Sequence, residues 1–121
     1  MKILVADDEL DMLELLKESF QDYGLQVDSA VNGAKALEAA TGVRYDAIVS
    51  DVMMPALTGI DLFNKIKEMP LPHPLLFFYS GFNDYPPYGF LDAPLFHKPE
   101  DFVLMLTTVT DALFGGGKDE K

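Results

Sequence analysis

The chain has 121 residues, 49% of them apolar, and a formal net charge of −11. That is the size of one domain with a real core and is too apolar for a disordered chain, while so much negative charge repels the phosphate backbone of DNA or RNA and favours a cation as ligand. There is no cysteine, which excludes disulfides and thiolate metal sites.

The first apolar run, Ile3-Leu4-Val5-Ala6, ends in Asp7-Asp8. Its continuity predicts a short strand buried on both faces. It is too short for the core of an export signal, and no stretch approaches the roughly 20 apolar residues of a membrane helix. A cytoplasmic location is expected. Over 10–23 the period changes. Met12, Leu13, Leu16 and Phe20 share a helical face, and Gly24 ends the helix. A weaker strand follows over 25–30, then a helix capped by Asn32 that runs through Ala40 and closes at Thr41-Gly42. Ala47-Ile48-Val49 is a second buried run and leads to Ser50-Asp51. Thr58 caps a helix with Ile60, Phe63 and Ile66 on one face, and residues 75–79 form a fourth strand ending at Ser80-Gly81. A fifth short strand, Leu95-Phe96-His97, precedes Lys98. Pro99 suits the first turn of a last helix, with Glu100 and Asp101 at its positive end and Phe102, Met105, Val109 and Ala112 as its apolar stripe.

The alternation of strand and helix predicts an α/β fold, a five-stranded parallel sheet doubly wound by helices. Residues 81–94 interrupt the rhythm. Pro86, Pro87 and Gly89 are poor helix-interior residues, so the fourth helix region is expected to be irregular or shortened. The domain is expected over 1–114, with 115–121 a flexible tail or the start of a linker.

On this scheme Asp7, Asp8, Asp51, Ser80 and Lys98 all end strands, where ligands bind in such sheets. Three converging carboxylates repel one another, and a hard, oxygen-seeking cation such as Mg²⁺ relieves the repulsion. An ammonium and a hydroxyl complete the equipment for phosphoryl transfer to a carboxylate.

These residues, in order, resemble a response-regulator receiver domain of two-component signalling, the CheY-like, flavodoxin-like class. The matching pieces are residues 3–9, Asp51-Val52-Met53-Met54-Pro55 with Gly59, Ser80-Gly81 and Lys98-Pro99. The resemblance implies that Asp51 is the phosphoacceptor and that Ser80 and Lys98 contact the phosphoryl group. It implies Mg²⁺ held by Asp7, Asp8, Asp51 and the Met53 carbonyl, with a cis bond before Pro99. A sensor histidine kinase or phosphotransfer protein would then be the donor and a downstream protein the effector. Such a domain catalyses its own phosphorylation without being a turnover enzyme.

The chain departs from the family in two places. The aromatic residue such domains usually carry three positions before the lysine is Leu95 here, and Phe96 points to the opposite face. Residues 81–94 also look about one helical turn short, roughly 3.6 residues. Phe82, two positions after Ser80, together with Met53, suggests a long-lived phosphoryl group. Tyr79, Phe82, Tyr85, Tyr88 and Phe90 read either as a partner patch or as cover over the sheet. Glu9 reads as a first-turn helix residue, His97 as a rim residue, His73 as a loop residue, and Met53 and Met54 as loop packing. Two other functions compete with the switch: a phosphorylation-independent interaction module, which Leu95 favours, and a Mg²⁺-dependent phosphatase. The phosphatase class wants its two acids separated by one residue, and Asp7-Asp8 are adjacent.

Overall fold

The computed structural model describes residues 1–81 and 93–115. Its elements run β1 (Lys2–Ala6), α1 (Leu10–Asp22), β2 (Gln26–Ala30), α2 (Gly33–Gly42), β3 (Ala47–Ser50), α3 (Gly59–Lys67), β4 (Leu75–Ser80), β5 (Leu95–His97) and α4 (Phe102–Leu113). The five strands form one parallel sheet in the order β2-β1-β3-β4-β5. This is the doubly wound, flavodoxin-like architecture expected from the alternation.

The period of two along the strands builds two cores. Ile3, Val5, Val49, Phe77, Tyr79 and Phe96 face α1 and α4, where they meet Leu16, Phe20, Met105 and Val109. Leu4, Ile48 and Phe78 face the other way and meet Ala36, Leu62, Phe63 and Ile66 of α2 and α3. Phe63 stacks on Phe78 with ring centroids 4.4 Å apart. Most of these side chains are almost fully buried, and each large one contributes about 1.5–3 kcal/mol relative to exposure. Among the described residues no helix is long and apolar enough to cross a membrane.

The caps expected at Asn32 and Thr58 form, as Asn32 Oδ1 accepts from the Lys35 amide at 2.8 Å and Thr58 Oγ1 from the Asp61 amide at 3.1 Å. The start of the last helix differs from expectation. Residues 98–101 form a turn, and α4 begins at Phe102. The reason is local. The Asp101 carboxylate accepts from the His97 amide at 2.9 Å, and the Asp101 amide returns to the His97 carbonyl at 2.9 Å. Asp101 thus closes the strand-to-helix turn and does not cap the helix with its side chain. The Lys98–Pro99 bond is cis, as is Leu71–Pro72. Phe82, Tyr85, Tyr88 and Phe90, residues 82–92 of the segment expected to be irregular, and residues 116–121 of the expected tail lie outside the described residues.

Candidate functional site

Strand order reverses between β1 and β3, so their carboxyl ends flank a crevice. The chain enters it in a fixed way. The Asp7 amide donates to Ala30 O at 3.1 Å and the Asp51 amide to Ala6 O at 3.0 Å, which carries the ladder one residue past each strand. On the other side the Lys98 amide donates to Ser80 O at 2.8 Å. The sheet therefore brings together the ends of β1, β3, β4 and β5.

Asp7, Asp8 and Asp51 each offer a carboxylate oxygen within 4.8 Å of the others. Asp7 and Asp51 are buried, at 1% and 6% exposure, and Asp8 is exposed. Lys98 Nζ lies 2.7 Å from Asp7 Oδ2 and 3.0 Å from Asp51 Oδ2. Ser80, itself buried, donates from Oγ to Asp51 Oδ1 at 2.8 Å. Both carboxylate oxygens of Asp51 are thus gripped, one by an ammonium and one by a hydroxyl. Met53 follows in the turn after β3 with an exposed side chain, whereas Met54 is buried and packs under the loop.

The electrostatics reflect crowding. Burial pushes the Asp7 carboxyl up, and the Asp51 charge adds to this, against the pull of Lys98 and the Glu9 amide. Burial works against the Lys98 ammonium, but its hydrogen bond to Asp7 and the charges of Asp51 and Asp7 prevail and hold its pKa above the usual range. Three carboxylates facing one ammonium leave an excess of negative charge. The donors are hard oxygens, so the residues present fit Mg²⁺, with its preference for carboxylates and retained waters.

Two contacts were not anticipated. Glu9 Oε1 lies 3.7 Å from Lys98 Nζ, because the Asp7 side chain accepts from the Glu9 amide at 2.9 Å and folds the chain back over the site. Lys98 Nζ also sits 5.8 Å from the centroid of the Tyr79 ring. Tyr79 is covered by the α1–α4 side of the core and is no surface patch residue. Position next to Ser80 was the available signal for it. Leu95 packs towards α2 and α3, Phe96 towards α4, as the pleat predicts. His97 is half-buried beside the site, and His73 is tied to the Met69 carbonyl at 2.6 Å in the loop after α3. A cavity of about 440 Å³ lies at the amino ends of β3 and β4, lined by Arg44, Ile66 and Pro72 among others, and touches none of the site residues.

Comparison with known proteins bears on this arrangement. The family model described as "Response regulator receiver domain" matches residues 3–88. The transcriptional regulatory protein PrrA of Mycobacterium leprae is 40% identical over 68 residues, which cover 56% of this chain and 29% of PrrA. The chain spans between 29% and 41% of the length of curated relatives such as PrrA and DltR of Streptococcus agalactiae. A CheY-like response regulator receiver domain from Methylobacillus flagellatus superposes with a TM-score of 0.79 at 25% identity, over 93% of this chain and 98% of that one. The response regulator TrrA of Thermotoga maritima, solved in complex with Mg²⁺–BeF, gives 0.75 at 28% identity, over 91% and 96%. With its acids at the strand ends and a family match across most of its length, the chain belongs to the response regulator receiver domains of two-component systems.

Proposed function

We propose that this domain is a phosphorylation-dependent switch in which Asp51 takes a phosphoryl group from a sensor histidine kinase or a phosphotransfer protein, in a Mg²⁺-dependent reaction. The observation that carries the reading is the double grip on Asp51, with Lys98 on Oδ2 and Ser80 on Oδ1, inside a cluster of three carboxylates. An Asp51 oxygen attacks phosphorus. An O–P bond forms as the N–P bond of a phosphohistidine breaks, and the leaving imidazole nitrogen is protonated. Lys98 fixes the orientation of Asp51 and offsets charge on the incoming phosphoryl oxygens. Ser80, already turned inward, exchanges its bond to Asp51 for one to a phosphoryl oxygen. Both are acts of positioning and charge stabilisation, which dominate phosphoryl transfer.

Asp7, Asp8, Asp51 and the carbonyl of Met53 would hold the cation. When bound, it neutralises the carboxylates and the phosphoryl oxygens. The complex of TrrA with Mg²⁺–BeF supports this assignment. The domain over 1–114 acts in the cytoplasm, and a downstream protein reads the phosphorylated state through a shift between two conformations. The interaction-module alternative rests on the changed region near Leu95, and the assembled site opposes it. Intact mass after incubation with Mg²⁺ and acetyl phosphate tests the reading. Wild type should gain one phosphoryl group and Asp51→Ala none. An unlabelled wild type, or equal labelling of the variant, overturns it.

A further inference from the structure

We propose that Tyr79 is a positioning residue of this site, its ring being the platform that holds the Lys98 ammonium against Asp7 and Asp51. The proposal deepens the phosphoryl-transfer reading and rests on it for its consequence. Lysine is a long, flexible stem carrying a compact charge. Here three carboxylates compete for that charge: Asp7 at 2.7 Å, Asp51 at 3.0 Å and Glu9 at 3.7 Å. Glu9 is exposed and draws the ammonium outward, away from Asp51. Asp7 and Asp51 hold it inward at shorter range, and an apolar support on their side would add to that hold.

Tyr79 stands there. Its ring is 1% exposed, and the centroid lies 5.8 Å from Nζ, within the roughly 6 Å reach of a cation–π contact. The ring is itself held, since it meets the Phe102 ring at 5.9 Å and 50° at the start of α4. The backbone puts ring and ammonium in register, because the Lys98 amide pairs with the carbonyl of Ser80, the next residue. The hydroxyl shows which part of Tyr79 matters. It is buried and has no hydrogen-bond partner among the described residues, which is a cost to the fold. The ring therefore carries the role, and phenylalanine should replace tyrosine at no loss to the chemistry.

The test compares wild type, Tyr79→Phe and Tyr79→Leu, with Tyr79→Met in place of Leu if that variant does not fold. The first readout is the rate of Asp51 phosphorylation by acetyl phosphate with Mg²⁺. Tyr79→Phe should stay within about twofold of wild type and melt at a higher temperature, while Tyr79→Leu should slow about fivefold. In a Lys98→Ala background the Leu substitution should change the residual rate by less than about twofold, since the ammonium it acts through is gone. The second readout needs no phosphoryl transfer. Acylation of Lys98 by an amine-reactive reagent, normalised to exposed Lys35, should be equal in wild type and Tyr79→Phe and about fivefold faster in Tyr79→Leu. A wild type that takes no phosphate overturns the proposed function, and the acylation ratio still decides the role of the ring. Equal acylation in all three proteins, or a Tyr79→Phe variant as impaired as Tyr79→Leu, overturns the proposal.

Discussion

Asp7 binds its proton more tightly in the folded state than in the unfolded chain, because burial raises its pKa above the ordinary 3.8. A folded state that holds more protons loses stability as pH rises. The loss begins near 3.8 and is complete once pH passes the raised folded value. Asp7→Asn removes this dependence. Without divalent cations, the stability of the variant minus that of wild type should grow as pH rises from about 4 to about 7, read by urea denaturation. The pull of Lys98 on ionised Asp7 is already contained in that net rise, since the ion pair forms only as Asp7 loses its proton. A difference that shrinks with pH contradicts the assignment. Lys98 has the same sense in a higher window, as its raised pKa gives stability present below 10.5 and lost only as pH rises beyond it. A second residue stores strain beside the site. Ala56 has φ 72, in the left-handed region, at a cost of about 1 kcal/mol or more for a residue with a Cβ. Ala56→Gly relieves this but loosens the unfolded chain by about 0.4–1 kcal/mol. The urea midpoint should therefore hold or rise slightly, whereas the same change inside a helix lowers stability by about 1 kcal/mol.

The link between α3 and Asp51 is a matter of backbone contact. The Gly59 amide donates to Val52 O at 2.7 Å, and a Cβ on Gly59 would lie 2.1 Å from the carbonyl oxygen of Asp51. Gly59→Ala must therefore displace either α3 or Asp51. It should cost about 1–3 kcal/mol as an overpacked site and slow Asp51 phosphorylation about tenfold or more, since small misplacements are costly in transfer reactions. Thr58→Ala one residue earlier is the contrast. It removes only the cap, costs about 1 kcal/mol, and should leave the phosphorylation rate unchanged. Urea denaturation with the acetyl phosphate assay separates the two. Both positions were legible in the sequence, Thr58 as a cap and Gly59 as one of the pieces that carry the family resemblance. The start of α4 was less so. Pro99, Glu100 and Asp101 look like a helical first turn by composition, but Asp101 can satisfy an amide behind it as readily as one ahead, and only the placement of β5 decides which. Tyr79 failed for a related reason. Its place in β4 next to Ser80 marks it as a strand residue, but nothing local in the sequence shows that its ring meets the lysine that follows β5.

For the whole molecule, strand-end position was the strongest signal, because a parallel sheet converts five distant residues into one site with no further information. Sequence could name Asp7, Asp8, Asp51, Ser80 and Lys98, but not that Asp8 stays exposed while Asp7 and Asp51 are buried. That arrangement bears on how a cation would act on the fold. The chain carries a formal charge of −11, so any salt relieves self-repulsion by screening. Mg²⁺ at the site should do more. Binding to the folded state alone stabilises by about 2.7 kcal/mol at a hundred times Kd, which for a domain of this size corresponds to a melting shift of roughly 10 °C. Thermal melts at constant ionic strength, with NaCl replaced stepwise by MgCl₂, isolate this term. Once free Mg²⁺ exceeds Kd the melting temperature should keep rising with the logarithm of its concentration, and EDTA should reverse the rise. Asp8→Asn should abolish this Mg²⁺-specific rise, because the exposed carboxylate is the one open to the cation. No shift at constant ionic strength, or one that survives in Asp8→Asn, would show that the three carboxylates do not form a cation site.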